Sequence, residues 1–154
     1  MRTEDRKEML VRTVGSVFIT MVGLDVCPSE IQSLPSGDLL TSYVQLAGDW
    51  NGAILLECTR RQARSFAGLI LSTDSPAAVD DDVRDALGEL ANVIGGNMKC
   101  GMSTAAHLSM PTVRDGRADD MKWFKTKACE KFTFQCSEGH FWVTILSSDP
   151  ERCK

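Results

Sequence analysis

Glu89 and Asn92 stand three residues apart in the stretch GELANVIGGN, which runs from Gly88 to Asn97. Residues three or four apart on a helix share one face, so a helical reading brings a carboxylate and a carboxamide side by side. The two groups offer different chemistry. A carboxylate is an anionic acceptor that can pair with a cation, whereas an amide both donates and accepts hydrogen bonds and stays neutral at any working pH. Asp85 falls about one turn before Glu89 and extends the same polar surface. Three of the ten residues in the stretch are glycines, Gly88, Gly95 and Gly96. Each costs roughly 1 kcal/mol relative to alanine in a helix interior, so their presence needs a reason.

Placing the residues around a helix at about 100° each, with Val83 at zero, supplies a frame. Leu87, Leu90, Ala91, Ile94 and Met98 then lie within roughly 80° of Val83, as an apolar stripe of the kind that packs on a sheet. Asp85, Glu89, Asn92 and Gly96 fall at roughly 200°, 240°, 180° and 220°, on the side that faces water. Gly88, Gly95 and Gly96 flank the polar residues and leave space where another molecule's backbone or loop can come close. Two plainer explanations compete: a polar face that is merely solvated, and glycines that permit close helix packing.

This helix must start near Asp80-Asp81-Asp82, where carboxylates complement the macrodipole and cap free amides, and it runs to about Met102. Upstream, Leu10, Val14, Val17, Phe18 and Met21 recur at helical spacing and predict a first helix over about Asp5 to Val22. Pro28 to Asp38 reads as a connection. Leu39 to Ala47 and Ala53 to Cys58 read as strands joined by a Gly48 to Gly52 turn. Thr59 caps a second helix, TRRQARSFAGLIL, which a loop around Ser75-Pro76 separates from the third. Strands follow at His107 to Val113, Lys127 to Cys136 and His140 to Leu146, the last two joined by a Ser-Glu-Gly turn. The segments VQLAGDWNGAIL and FQCSEGHFWVTI echo one another, each placing an apolar residue and glutamine before a turn and a second strand. The expected architecture is α/β (α+β): two helix-plus-hairpin halves forming one antiparallel sheet covered by helices.

Composition narrows the function. At 154 residues the chain suits one domain spanning 1–154, and 43% hydrophobic with 25% charged residues is ordinary globular composition. A net charge of -4 and no clustered basic face argue against nucleic acid as a partner. Val14 to Val26 is apolar but short for a bilayer and broken by Gly15, Ser16, Thr20 and Asp25, so no membrane span is expected and the cytoplasm is the expected location. The six cysteines, Cys27, Cys58, Cys100, Cys129, Cys136 and Cys153, form no CxxC pair, and only His107 and His140 accompany them. That spacing suits reduced apolar thiols better than a metal site, and no metal is expected. Ser65 and Cys100 make poor nucleophiles, because neither has an evident base nearby in sequence.

The longer pattern Asp85-x3-Glu89-x2-Asn92-x2-Gly95 should arise by chance about twice in a thousand chains of this length. It resembles the [D/S]-x3-E-x2-N-x2-G signature of the CheC/CheX/FliY chemotaxis phosphatases, most closely the single-site CheX branch. The order of helices and strands and the half-repeat are also similar to that family's pseudo-twofold fold. The first helix, EMLVRTVGSVF, has no Glu-x2-Asn, so only one site is implied. The resemblance implies hydrolysis of the aspartyl phosphate on a CheY-like receiver domain, with Asn92 orienting the attacking water and Glu89 pairing with the receiver lysine. It also implies no cofactor of the chain's own, Mg2+ held by the receiver, and a homodimer joined through sheet edges. Asp85, Gly88, Gly95, Gly96 and Lys99 would border the contact. The alternative is a receiver-binding or signalling adaptor of the same fold without catalysis.

Overall fold

The computed structural model describes residues 3–31, 37–102, 105–118 and 128–147. The first helix, α1 (Thr3–Val17), runs on through a π-helical turn at Phe18–Val22, and Gly23 ends it with φ 80°, donating its N–H to Phe18 O. Only a residue tolerant of the left-handed region closes a helix in this way. Leu10, Val14, Val17 and Phe18 are buried as their spacing predicts.

A three-residue strand, β1 (Cys27–Ser29), overlaps the start of the Pro28 to Asp38 segment expected to be pure connection. Pro28 explains the miss: it argues against a strand in general but is tolerated at a sheet edge, which is where β1 lies. The hairpin β2 (Leu39–Gly48) and β3 (Gly52–Thr59) matches expectation. So does α2 (Arg60–Leu71), which begins in a capping box: Thr59 Oγ1 accepts from Gln62 N, and Gln62 Oε1 accepts from Thr59 N. Next come α3 (Asp81–Gly101), β4 (Ala106–Leu108), β5 (Thr112–Asp115), β6 (Ala128–Cys136) and β7 (Gly139–Ser147). Lys127, expected to open the β6 strand, lies outside the described residues.

The expected single strand from His107 to Val113 is two strands. Both pair antiparallel with β2, but Leu46 faces Leu108 while Tyr43 faces Thr112, so two residues of β2 oppose three on the other chain segment. The extra residue makes a β-bulge at Ser109-Met110-Pro111. Proline, which lacks a donor for the ladder, is the local cause.

All described strands form one antiparallel sheet in the order β1-β6-β7-β3-β2-β4, with β5 also on β2. The central pair β3 and β7 relates the two halves. Hairpins β2-β3 and β6-β7 are equivalents, as the sequence echo suggests; β1, following α1, pairs with β6 of the other half, and β4 and β5, following α3, pair with β2. The helices cover one face. There Phe18, Phe66 and Phe141 meet with centroids 4.7 to 6.0 Å apart, joining the end of α1, α2 and β7. Such pairs contribute about 0.5–1.5 kcal/mol each beyond burial.

No described helix covers the opposite face. Tyr43, Ala53, Leu55 and Leu146 are buried there with Ala118, and the wholly buried Glu57 ties the cover down by accepting from Ala118 N at 3.1 Å. Lys131 Nζ stands 3.2 Å from Glu57 Oε1, close enough to offset the charge although not aligned as a hydrogen bond.

Candidate functional site

Helix α3 carries the predicted site and is held from several directions. Its start is capped by Asp80, whose carboxylate accepts from Val83 N at 2.9 Å, with Asp81 and Asp82 in the first turn. The inner stripe is as expected: Val83, Leu87, Leu90, Ala91, Ile94 and Met98 are all at most 2% exposed. Burying five such large side chains contributes roughly 1.5–3 kcal/mol each before entropy, more than the glycines forfeit. Ser42 Oγ on β2 donates to Leu87 O at 2.8 Å, using the second lone pair of a helical carbonyl to pin the helix against the sheet.

The glycines divide by role. Gly95 is buried, and a Cβ there would lie 2.4 Å from Val44 Cγ2 on β2. The expectation that Gly95 opens space for a partner is therefore corrected: its bare Cα lets α3 sit close to the sheet. Gly88 is buried as well, beneath Pro111 of the bulge, which a Cβ would touch at 3.4 Å. Gly96 alone of the three is half-exposed, with Leu108 Cδ2 at 3.8 Å from the Cβ position. Helical angles place Gly88 and Gly95 at the borders of the outer face, where neighbouring strands reach them; sequence periodicity does not show those strands.

Asp85 and Glu89 are exposed, and Asn92 and Lys99 half-buried. Among the described residues no side-chain hydrogen bond or ion pair engages any of these four, so their polar atoms stand available to another molecule. A groove of about 400 Å³ runs beside them, with Arg84, Asp85, Gly88 and Glu89 on the helix bank and Pro111 and Val113 on the strand bank. Asn92 and Lys99 lie on α3 beyond its lining.

A latch not expected from the sequence joins the two banks. Asp115 at the end of β5 accepts from Arg60 Nη1 at 2.6 Å and from Arg84 Nη2 at 3.1 and 3.2 Å. These hydrogen bonds, Arg60 first and Arg84 second, hold the Asp115 carboxyl below its ordinary range. The pairs are solvent-exposed, so each contributes at most about 1 kcal/mol, and their importance is geometric.

A larger hollow of about 560 Å³ lies along α1 beside Glu4, Lys7, Glu8, Val11 and Arg12 and contains none of the predicted site residues. Cys58, buried in the core, has its thiol pushed up to about 12, chiefly by burial and secondarily by the charge of Glu57, so it is no nucleophile. Among the described residues no group of three or more His, Cys, Asp or Glu could hold a metal ion, and no helix is long and apolar enough to cross a membrane. Cys153 lies outside the described residues.

With this geometry in hand, comparison with known families is decisive. The family model for the chemotaxis phosphatase CheX matches residues 40–135, from β2 through α3 to β6. The chain belongs to the CheX family. Solved CheX structures share its fold. CheX of Desulfovibrio desulfuricans is 21% identical, with a TM-score of 0.73 over 93% of this chain and 99% of that one. CheX of Vibrio vulnificus is 16% identical, with a TM-score of 0.76 over 95% and 98%. A CheX-CheY-BeF3-Mg2+ complex from Borrelia burgdorferi contains a chain 16% identical, with a TM-score of 0.69 over 93% and 97%. A comparison with curated proteins finds no match.

Proposed function

We propose that this CheX-family chain hydrolyses the aspartyl phosphate of a CheY-like receiver domain. One observation carries the reading: Glu89 and Asn92 share the outer side of a helix whose inner side is packed on the sheet, and neither side chain is engaged among the described residues. The Borrelia burgdorferi relative, solved with CheY, beryllofluoride and magnesium, supports a receiver as the partner.

In this reading Glu89 pairs with the receiver lysine and sets the depth of docking. Asn92 then holds a water in line with the scissile bond, accepting from it through the amide oxygen. The water oxygen attacks phosphorus, the bond between phosphorus and the aspartyl oxygen breaks, and the carboxylate leaves with the electron pair. Both of the water's protons depart on inorganic phosphate, and the carboxylate leaves unprotonated. Magnesium belongs to the receiver, where it neutralises charge on the transferring group. Asp85, Gly96 and Lys99 border the contact, while Gly88 and Gly95 support it from within the fold.

The proposed partner places the chain in the cytoplasm. We further propose a homodimer joined through sheet edges: β1 covers only Thr133 to Gln135 of β6, which leaves the start of that strand without a described neighbour on its outer side. Light scattering that finds only monomer at micromolar concentration overturns the dimer. For the catalytic reading, the test is decay of receiver phosphate at a sub-stoichiometric amount of this chain. Acceleration through many turnovers is expected, and an unchanged decay rate refutes it in favour of the adaptor.

A further inference from the structure

We propose that Asp115 is a positioning residue for the site: by holding Arg84 on the strand bank of the groove, it keeps the Glu89 carboxylate free for the receiver lysine. The proposal rests on the functional reading above and gives Asp115 no contact with the receiver. Among the described residues lining the groove of about 400 Å³, Arg84 is the only cation, and Asp85 and Glu89 are the anions. A guanidinium beside carboxylates is drawn to pair with one of them, and a pair made inside the chain competes with one made to a partner.

The helix brings Glu89 within range of Arg84. The two are five residues apart, about 7.5 Å along the axis, and helical side chains lean toward the N-terminus, so Glu89 leans back toward Arg84. Four residues after Arg84, where a helical partner for it would stand, is Gly88, which has no side chain to hold the guanidinium or bar its way. Asp85 adjoins Arg84 in sequence, and helical neighbours one apart do not face each other. Glu89 is therefore the partner that a released Arg84 would find.

Asp115 pre-empts that pairing. Arg84 Nη2 donates to both Asp115 oxygens, at 3.1 and 3.2 Å, and among the described residues Asp115 is its only ion-pair partner. The direction matters as much as the bond. Pro111 and Val113 stand over Gly88 and Asp115 reaches Arg84, so this strand segment runs along α3 toward the helix start and draws the guanidinium away from Glu89. Asp115 is itself anchored: Oδ1 accepts from Arg60 Nη1 at 2.6 Å, and its backbone pairs with Leu40 on β2. The next residue is fixed too, because Gly116 N donates to Leu39 O at 2.8 Å and Gly116 O accepts from the buried Thr41 Oγ1 at 2.8 Å.

The test measures receiver-phosphate turnover and titration with a beryllofluoride-loaded receiver for Asp115→Asn and for Asp115→Asn combined with Arg84→Gln. In the single variant Arg84 pairs with Glu89 in the free chain, and docking must break that pair. For an exposed ion pair this raises KM and Kd about two- to sixfold, with kcat unchanged because the docked state is the same. Adding Arg84→Gln removes the competing cation and should bring KM and Kd back to within about twofold of wild type. Removing the second half of a merely structural latch restores nothing, so recovery in the double variant separates the two roles. If wild type accelerates decay but Asp115→Asn keeps the wild-type KM and Kd, Asp115 is not a positioning residue and the proposed function stands. A rise that persists in the double variant shows that Asp115 does not act through Arg84 and likewise overturns the inference. If wild type neither accelerates decay nor binds the receiver, the functional reading fails and this inference with it.

Discussion

Gly95→Ala and Gly96→Ala add the same methyl group to adjacent positions of one helix, and the structure predicts opposite outcomes. Both exchanges gain helix propensity, roughly 1 kcal/mol. At Gly96 the new Cβ stands 3.8 Å from Leu108 Cδ2, an ordinary contact, so that gain survives. At Gly95 it stands 2.4 Å from Val44 Cγ2, and either α3 or Val44 must retreat by about 1 Å to restore normal carbon contact. Val44 is wholly buried on β2 and stiff at χ1, so it yields poorly. Overpacking of this kind costs about 1–3 kcal/mol. The propensity gain cancels in the comparison, leaving Gly95→Ala less stable than Gly96→Ala by about 1–3 kcal/mol, or several degrees in thermal midpoint for a chain of this size. Circular dichroism melts of both variants measure the difference directly. Val44→Ala combined with Gly95→Ala should recover part of the loss, a coupling that a double-mutant cycle isolates. Equal midpoints for the two alanine variants, or no coupling to Val44, would refute the role given to Gly95.

Two further outcomes follow from the same geometry. Gly96→Leu should leave the midpoint unchanged or raised while strongly reducing turnover; a lowered midpoint with normal specific activity of the folded fraction would make Gly96 structural. Cys58, whose thiol is raised from 9.0 to about 12, should resist alkylation in the native protein while exposed Cys27, Cys100 and Cys129 react. Because the folded value lies above the unfolded one, its contribution to stability is full below pH 9 and is lost as pH rises toward 12, so the midpoint should fall across that window. Native-state modification of Cys58 at neutral pH at the rate of Cys27 would contradict its burial.

The elements that were legible in the sequence share a local cause. The stripe from Val83 to Met98, the caps at Thr59 and Asp80 and the β2-β3 hairpin are each specified by neighbours within a few residues. The outward placement of Asp85 and Glu89 follows from the same periodicity. What escaped depends on distant partners. Gly95 meets Val44, which lies some fifty residues earlier in the chain, and Asp115 gathers Arg60 and Arg84 from two different helices; spacing along the chain encodes neither contact. β1 and the bulge both contain proline, whose lost donor conceals a strand unless the sheet edge that tolerates it is known. The glycines in GELANVIGGN thus have separate causes: Gly95 packing on the sheet, Gly88 seating the bulge, and Gly96 left partly open.

The measurement that bears most directly on the central claim is receiver-phosphate decay with wild type and Asn92→Ala, alongside titration of both with the beryllofluoride-loaded receiver. Asn92 is half-buried on a helix that its inner face holds, and it forms no hydrogen bond with any described side chain, so its removal should leave the fold and the midpoint nearly intact. Asn92→Ala is expected to bind the receiver about as tightly as wild type but no longer to accelerate decay, the signature of a group needed only to place the water. Equal acceleration by wild type and Asn92→Ala would remove Asn92 from the mechanism and contradict the account.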